Sequence, residues 1–168
     1  SGTDMPSSMA LAATGDPKNA YNTGVILSNE LKALGFNLDY APDMDVNTNP
    51  SNPVIGIRSY SDDGATVGQY AQQFAKGMMS NNIIATGKHF PGHGDTATDS
   101  HTGLPRVDKT KKELENTDLV PFKECIDEGV EMIMSAHIQY PNIETGTYTS
   151  IKNGVEVNLP STLSHVMI

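Results

Sequence analysis

Apolar and small residues recur along the chain at two distinct periods. Between residues 18 and 34, Ala20, Gly24, Leu27, Leu31 and Leu34 keep a helical spacing, and Gly35 supplies a stop. Residues 64–80 repeat that spacing at Val67, Tyr70, Ala71, Phe74 and Met78, with Ser61 or Asp62 suited to cap the helix. A third helical stretch covers 109–128, where Pro121 predicts a break near Leu119 rather than one continuous rod. Between these lie short runs of strand character: 37–41 alternates, 82–86 is apolar, and 130–138 reads as a buried strand. Strand–helix alternation with short connections predicts an α/β fold with parallel strands. The tail departs from this pattern. Asn153-Gly154 within the β-prone stretch 148–157 predicts a hairpin, and Pro160-Ser161-Thr162 predicts the start of a further helix.

Each apolar run leads into polar residues: Asp43 and Asp45 after the first, Lys88 and His89 after the second, His137 and Gln139 in the third. Side chains at the carboxyl ends of parallel strands are where α/β folds gather their chemistry, so a site is expected there. The densest candidate is 87–101, GKHFPGHGDTATDSH, which holds three of the five histidines. Two chemistries compete for it. A loop could gather His93, Asp95 and His101, or His89, His93 and His101, around zinc, since these are suitable ligand types. Pro91, Gly92 and Gly94 nevertheless disfavour the helix that would put His89 and His93 on one face, and the spacing matches no strong zinc signature. The alternative is acid–base work by Asp99-Ser100-His101. In an extended segment side chains two apart point the same way, so Asp99 can hold one imidazole nitrogen while the other faces a substrate. Such a pair can donate a proton to a leaving group and later take one from water. Structural roles fit Asp43, Asp45 and His137 as well, the aspartates as turn or cap groups and the histidine as a paired group inside the sheet.

Composition narrows the partners. The 168 residues, 37% hydrophobic, suit one domain with a substantial core. They fall short of the roughly 250 of a complete (β/α)₈ barrel. A net charge of −9 without a basic cluster argues against a nucleic-acid partner. Cys125, the sole cysteine, excludes an internal disulfide or a multi-cysteine metal cluster and reads as a buried thiol on a helix. No apolar run reaches the about 18 residues of a membrane span.

The stretch KHFPGHGDTATDSHTGLP (88–105) resembles the signature loop of the family 3 glycoside hydrolases, in their β-N-acetylglucosaminidase (β-hexosaminidase) branch. NLDYAPDMDVNTNPSNPVIGIRSYSDD (37–63) is similar to that family's preceding strand and sugar-contacting loop, MIMSAHIQYP (132–141) to the strand that follows, and LPSTLS (159–164) to the start of the next helix. The resemblance implies a (β/α)₈ TIM-type barrel, of which 1–168 is a middle portion without the first strand or the strand bearing the nucleophile. It implies retaining hydrolysis of terminal, non-reducing β-linked N-acetylglucosamine from cell-wall muropeptides or chitin-like oligosaccharides. By the same resemblance His101 and Asp99 form the acid/base dyad, Arg58, Lys88 and His89 hold sugar hydroxyls, and His93 supports the loop or a subsite. No metal or organic cofactor is implied. A histidine departs from the usual carboxylate pair of retaining enzymes, but imidazole titrates near neutrality and can serve in both directions. With the nucleophile elsewhere, the isolated chain is expected to be inactive. The competing expectations are a non-catalytic carbohydrate-binding or assembly fragment and a metal-dependent hydrolase using the histidine-rich loop. An unclosed sheet would also leave unpaired edges that favour self-association.

Overall fold

A computed structural model describes residues 2–98 and 104–168. A short helix α1 (Ser8–Ala12) opens the chain, with the Ser7 side chain accepting from the Ala10 N–H. The expected long helix follows as α2 (Lys18–Ala33), and Gly35 leaves it at a φ of +85°, a region that favours glycine. Strand β1 (Leu38–Asp39) leads through a long loop to α3 (Gly64–Met79), which ends before strand β2 (Ile84–Phe90). The cap of α3 is Asp63 rather than Ser61 or Asp62. Asp63 is the residue in extended conformation directly before the first turn, and it accepts the Thr66 N–H at 2.9 Å. Ser61 instead accepts the Asp63 N–H at 3.1 Å.

The third helical stretch is split as expected, into α4 (Lys111–Asn116) and α5 (Val120–Asp127). A reciprocal Thr110–Glu113 capping box starts α4. Pro121 stands in the first turn of α5, where its missing N–H would lack an intrahelical partner anyway. Strand β3 (Met132–Ser135) follows, and then the hairpin of β4 (Thr147–Thr149) and β5 (Glu156–Asn158), paired antiparallel with Tyr148 opposite Val157. After Pro160 the chain makes a 3₁₀ turn over Ser161–Leu163, not an α-helix. The Ser161 hydroxyl donates to the Ala136 carbonyl and the Ser161 N–H to that of Ile138, which ties the turn to the end of β3.

Strands β1, β2 and β3 lie side by side in chain order and are all parallel, with α3 and then α4–α5 as the crossovers. Parallel strands in sequential order, each separated from the next by helices, form one arc of the expected barrel. The main core joins α3 to the sheet and α5 through Val67, Tyr70, Ala71, Phe74, Met78, Ile83, Ala85, Phe122 and Cys125. Fully burying a side chain such as Phe122 or Met78 contributes about 1.5–3 kcal/mol. Helices α2 and α3 meet at glycines: a Cβ on Gly24 would lie 2.3 Å from the Phe74 carbonyl oxygen, and one on Gly77 2.2 Å from that of Tyr21. Cys125 is buried as expected, and burial pushes its thiol up to about 12, so it stays protonated.

Two strands differ from expectation. Strand β2 runs on through Gly87, Lys88, His89 and Phe90, because residues 41–44 continue beside it. Thr86 N–H donates to Ala41 O at 2.8 Å, Lys88 N–H to Pro42 O at 3.2 Å, and Met44 N–H to Lys88 O at 2.6 Å. Strand β3 is not buried: Met132, Ile133 and Ser135 are exposed, because β3 is an outer strand of the sheet. Among the described residues, β1 and β3 each present one unpaired edge. Among them, too, no helix is long and apolar enough to cross a membrane.

Candidate active site

The polar residues that follow β1 and those that end β2 are brought together by the backbone pairing just described. Asp43 forms a parallel bridge with Lys88, and Met44 beside it is fully buried. Alternation along this extended segment turns Asp43 and Asp45 away from the core face that Met44 fills. Each aspartate then has a basic partner. Asp43 Oδ2 lies 3.3 Å from Arg58 Nη2, and Asp45 Oδ2 lies 2.6 Å from His89 Nδ1.

Asp45 is wholly buried and collects donors from two further directions. Its Oδ1 accepts the backbone N–H of His89 at 3.2 Å and that of His93 at 2.6 Å. Burial alone would push this carboxyl up, but the hydrogen bond and charge of His89 and the donated N–H of His93 hold it below the ordinary carboxylate range. Asp43 behaves oppositely. Burial, and then the negative charge of Asp45, raise it well above that range, with Arg58 opposing. The two carboxyls thus divide their states: Asp45 is ionised and Asp43 takes up the proton more readily.

Arg58 stands at the end of a 3₁₀ turn over Gly56–Arg58 and donates through Nη1 to the Val54 carbonyl at 3.1 Å. With Asp43, Lys88 and Tyr60 it lines a cavity of about 320 Å³, which Met5, Pro6, Leu27 and Phe74 also line. That volume is at the lower end for a small-ligand site. His93 is buried behind His89, with the two rings 5.9 Å apart and edge-on. Its Nδ1 meets Thr96 Oγ1 at 2.5 Å. The structure therefore brings Arg58, Lys88, His89 and His93 into one region, while Asp99 and His101 lie outside the described residues. His137 is paired with Thr162 Oγ1 at 2.7 Å, but it is exposed rather than inside the sheet, because it follows the outer strand β3.

Four supporting residues were not foreseen. Asn52 accepts the N–H groups of Val54 and Ile55, each at 2.8 Å, and donates to the His93 carbonyl at 2.8 Å, joining the Arg58 loop to the histidine loop. Lys109 reaches Asp118 at 2.6 Å, Thr48 at 3.4 Å and Asp95 at 3.6 Å. The Tyr140 hydroxyl donates to the Gly92 carbonyl at 2.6 Å. The partners of Asn52 on the histidine loop and of Tyr140 lie 41 and 48 residues away in sequence, so no local pattern announces them.

Asp43, Asp45 and His89 offer ligand atoms within 4.8 Å of one another, the geometry of a small cation site. It is a different trio from either histidine-loop group named above. Both oxygens of Asp45 already accept hydrogen bonds, and the Arg58 guanidinium stands where a cation would approach Asp43. The residues present therefore favour hydrogen-bonding chemistry over metal ligation.

Known proteins are similar to this chain over nearly all of its length. Beta-hexosaminidase A of Pseudoalteromonas piscicida is 40% identical over 168 residues, which are 97% of this chain and 28% of that protein. The structure of a glycoside hydrolase family 3 β-N-acetylglucosaminidase from Paenibacillus sp. str. FPU-7 superposes with a TM-score of 0.91 at 41% identity, over 99% of this chain and 30% of that one. NagZ from Neisseria gonorrhoeae, solved in complex with N-trifluoroacetyl-D-glucosamine, gives a TM-score of 0.86 at 30% identity and covers 99% of this chain and 47% of its own. The chain thus spans less than half the length of each of these relatives. The family description "Glycosyl hydrolase family 3 N terminal domain" matches residues 1–167, and the chain belongs to that family.

Proposed function

We propose that the protein removes terminal, non-reducing β-linked N-acetylglucosamine from cell-wall muropeptides or chitin-like oligosaccharides. The observation that carries this reading is the convergence of Arg58, Lys88 and His89 at the carboxyl ends of β1 and β2. Arg58 and His89 are each held by a buried aspartate, and Arg58 and Lys88 share the wall of one cavity. Fixed donors and acceptors of this kind suit an uncharged sugar, whose hydroxyls both donate and accept. The named activity of the relatives and the glucosamine derivative bound to the Neisseria protein support the same ligand class.

In this reading Arg58, Lys88 and His89 orient the sugar, and His93 holds the loop behind His89. His101, steadied by Asp99, protonates the departing oxygen and then activates water. An aspartate attacks the anomeric carbon and forms the glycosyl-enzyme. In this reading that aspartate belongs to a strand beyond residue 168. These 168 residues are accordingly a middle portion of the catalytic barrel, and the chain on its own does not turn over substrate.

The test is hydrolysis of an aryl β-N-acetylglucosaminide by the intact protein, with the product anomer followed by NMR. The first product should be the β anomer. Arg58→Ala and Lys88→Ala should each lower kcat/KM by about ten- to hundredfold through lost charge-assisted contacts. Sugar binding without turnover would favour a carbohydrate-binding module, and loss of activity on chelation would favour the metal-dependent alternative.

A further inference from the structure

We infer that Asp45 is a positioning residue that fixes the proton of His89 on Nδ1, so that Nε2 is the ring atom presented to the sugar. This rests on the reading above that His89 contacts the sugar. The atoms divide cleanly. Oδ1 of Asp45 takes the two backbone N–H groups, from His89 at 3.2 Å and His93 at 2.6 Å, while Oδ2 faces His89 Nδ1 at 2.6 Å. An ionised carboxylate offers acceptors alone, so the 2.6 Å contact requires the proton on Nδ1. Nε2 is then the ring atom left for a ligand.

The geometry also leaves His89 little freedom. It sits in β2 at the register break between Lys88 and Phe90, its N–H and its ring are held by the same carboxylate, and the His93 ring stands edge-on 5.9 Å away. Asp45 is itself anchored, because its own N–H donates to Asp43 Oδ1 at 3.0 Å. Of the two carboxyls on this segment, Asp43 faces Arg58 and Asp45 faces His89, and the latter alone touches the ring.

Asp45→Asn separates positioning from mere structural support. The amide oxygen keeps the place of Oδ1, since turning the amide over would forfeit both backbone N–H bonds. The NH₂ group then stands where Oδ2 stood and donates to Nδ1, which drives the histidine proton to Nε2. The protonated nitrogen is read by NMR in the intact protein carrying ¹⁵N-histidine, on the alkaline side of histidine titration, with His89→Gln assigning the signal. Wild type should carry its proton on Nδ1 and Asp45→Asn on Nε2. On a β-N-acetylglucosaminide, kcat/KM should fall by about ten- to hundredfold in Asp45→Asn, and far less when the same change is made in His89→Ala.

A wild-type proton on Nε2 overturns the inference without any variant. So does an unchanged tautomer in Asp45→Asn, or an equal loss in both backgrounds. If the protein cleaves no β-N-acetylglucosaminide, the proposed function fails, while the NMR readout still decides whether Asp45 sets the tautomer.

Discussion

Gly94→Ala probes the joint between the two loops that build the site. A Cβ on Gly94 would stand 1.8 Å from the Val46 carbonyl oxygen and 2.4 Å from its carbon, where real Cβ contacts below 3.0 Å are essentially never seen. The histidine loop would have to retreat by about 1.2 Å, and the obstacle is backbone next to Asp45, which cannot swing aside. That retreat pulls on the Asn49 N–H to Gly94 O bond at 3.3 Å and the Asn52 to His93 O bond at 2.8 Å. Overpacking of this kind costs about 1–3 kcal/mol and a weakened buried hydrogen bond about 1 more, so destabilisation of about 2–4 kcal/mol is expected. For a domain of this size that corresponds to a fall in Tm of roughly 5–15 °C, read by circular dichroism. The exposed Ala97→Ser is the control and should stay within about 0.5 kcal/mol of wild type. Because the displaced loop carries the His93 N–H that binds Asp45, kcat/KM should fall as well. A Gly94→Ala protein with wild-type Tm and kinetics would refute the claim that the two loops are locked together by backbone contact.

The remaining predictions concern charge, metal and assembly. Lys109→Met strands the buried Asp118 and should cost about 3 kcal/mol at neutral pH, measured by urea unfolding. That cost should shrink in acid, since burial already raises the Asp118 carboxyl above its ordinary value despite Lys109. Asp43→Asn tests the raised carboxyl: a group whose folded value lies above its unfolded one stabilises fully below the ordinary 3.8 and loses that contribution as pH rises through the folded value. Urea midpoints of Asp43→Asn should therefore gain on wild type as pH climbs from the carboxylate range, and a pH-independent difference would contradict the assignment. Exhaustive chelation should leave hydrolysis unchanged; loss with recovery on added zinc would show that the Asp43–Asp45–His89 trio binds metal after all. The isolated 168-residue chain should release no aglycone and should elute in size-exclusion chromatography as a species larger than a monomer, because among the described residues β1 and β3 each present an unpaired edge. A monodisperse monomer would contradict the second expectation.

Helices α2 and α3 were legible because a strong helical period and a glycine or polar boundary act within one segment. The split before α5 was legible for the same reason, since Pro121 enforces it locally. Strand β3 was misjudged because an apolar run reads alike whether both its faces are covered or it stands at the margin of a sheet; burial depends on neighbours the run does not encode. The extra length of β2 was hidden by the glycine and proline density of 87–94, which signals a loop. What keeps Gly87 and Lys88 in a strand is pairing with Ile133 and Met134 of β3 and, for Lys88, with Pro42 and Met44 on the other side, all distant in sequence. The site was half legible. Asp43 and Asp45 stood out as polar residues after the first apolar run, but their partners Arg58 and His89 come from other segments. Lys109, Asn52 and Tyr140 left no local trace, because their work is to bridge loops distant in sequence, and Asp118 joins that network only through Lys109.

The most direct test of the central claim compares His101→Ala with wild type in the intact protein on two substrates. One is an aryl β-N-acetylglucosaminide with a good leaving group, the other a β-linked N-acetylglucosamine disaccharide whose leaving oxygen needs a proton. If His101 is the general acid, the disaccharide rate should fall by about a hundred- to ten-thousandfold, and the aryl substrate should lose distinctly less in bond cleavage. Equal, small losses on both substrates would remove His101 from proton transfer and contradict the account.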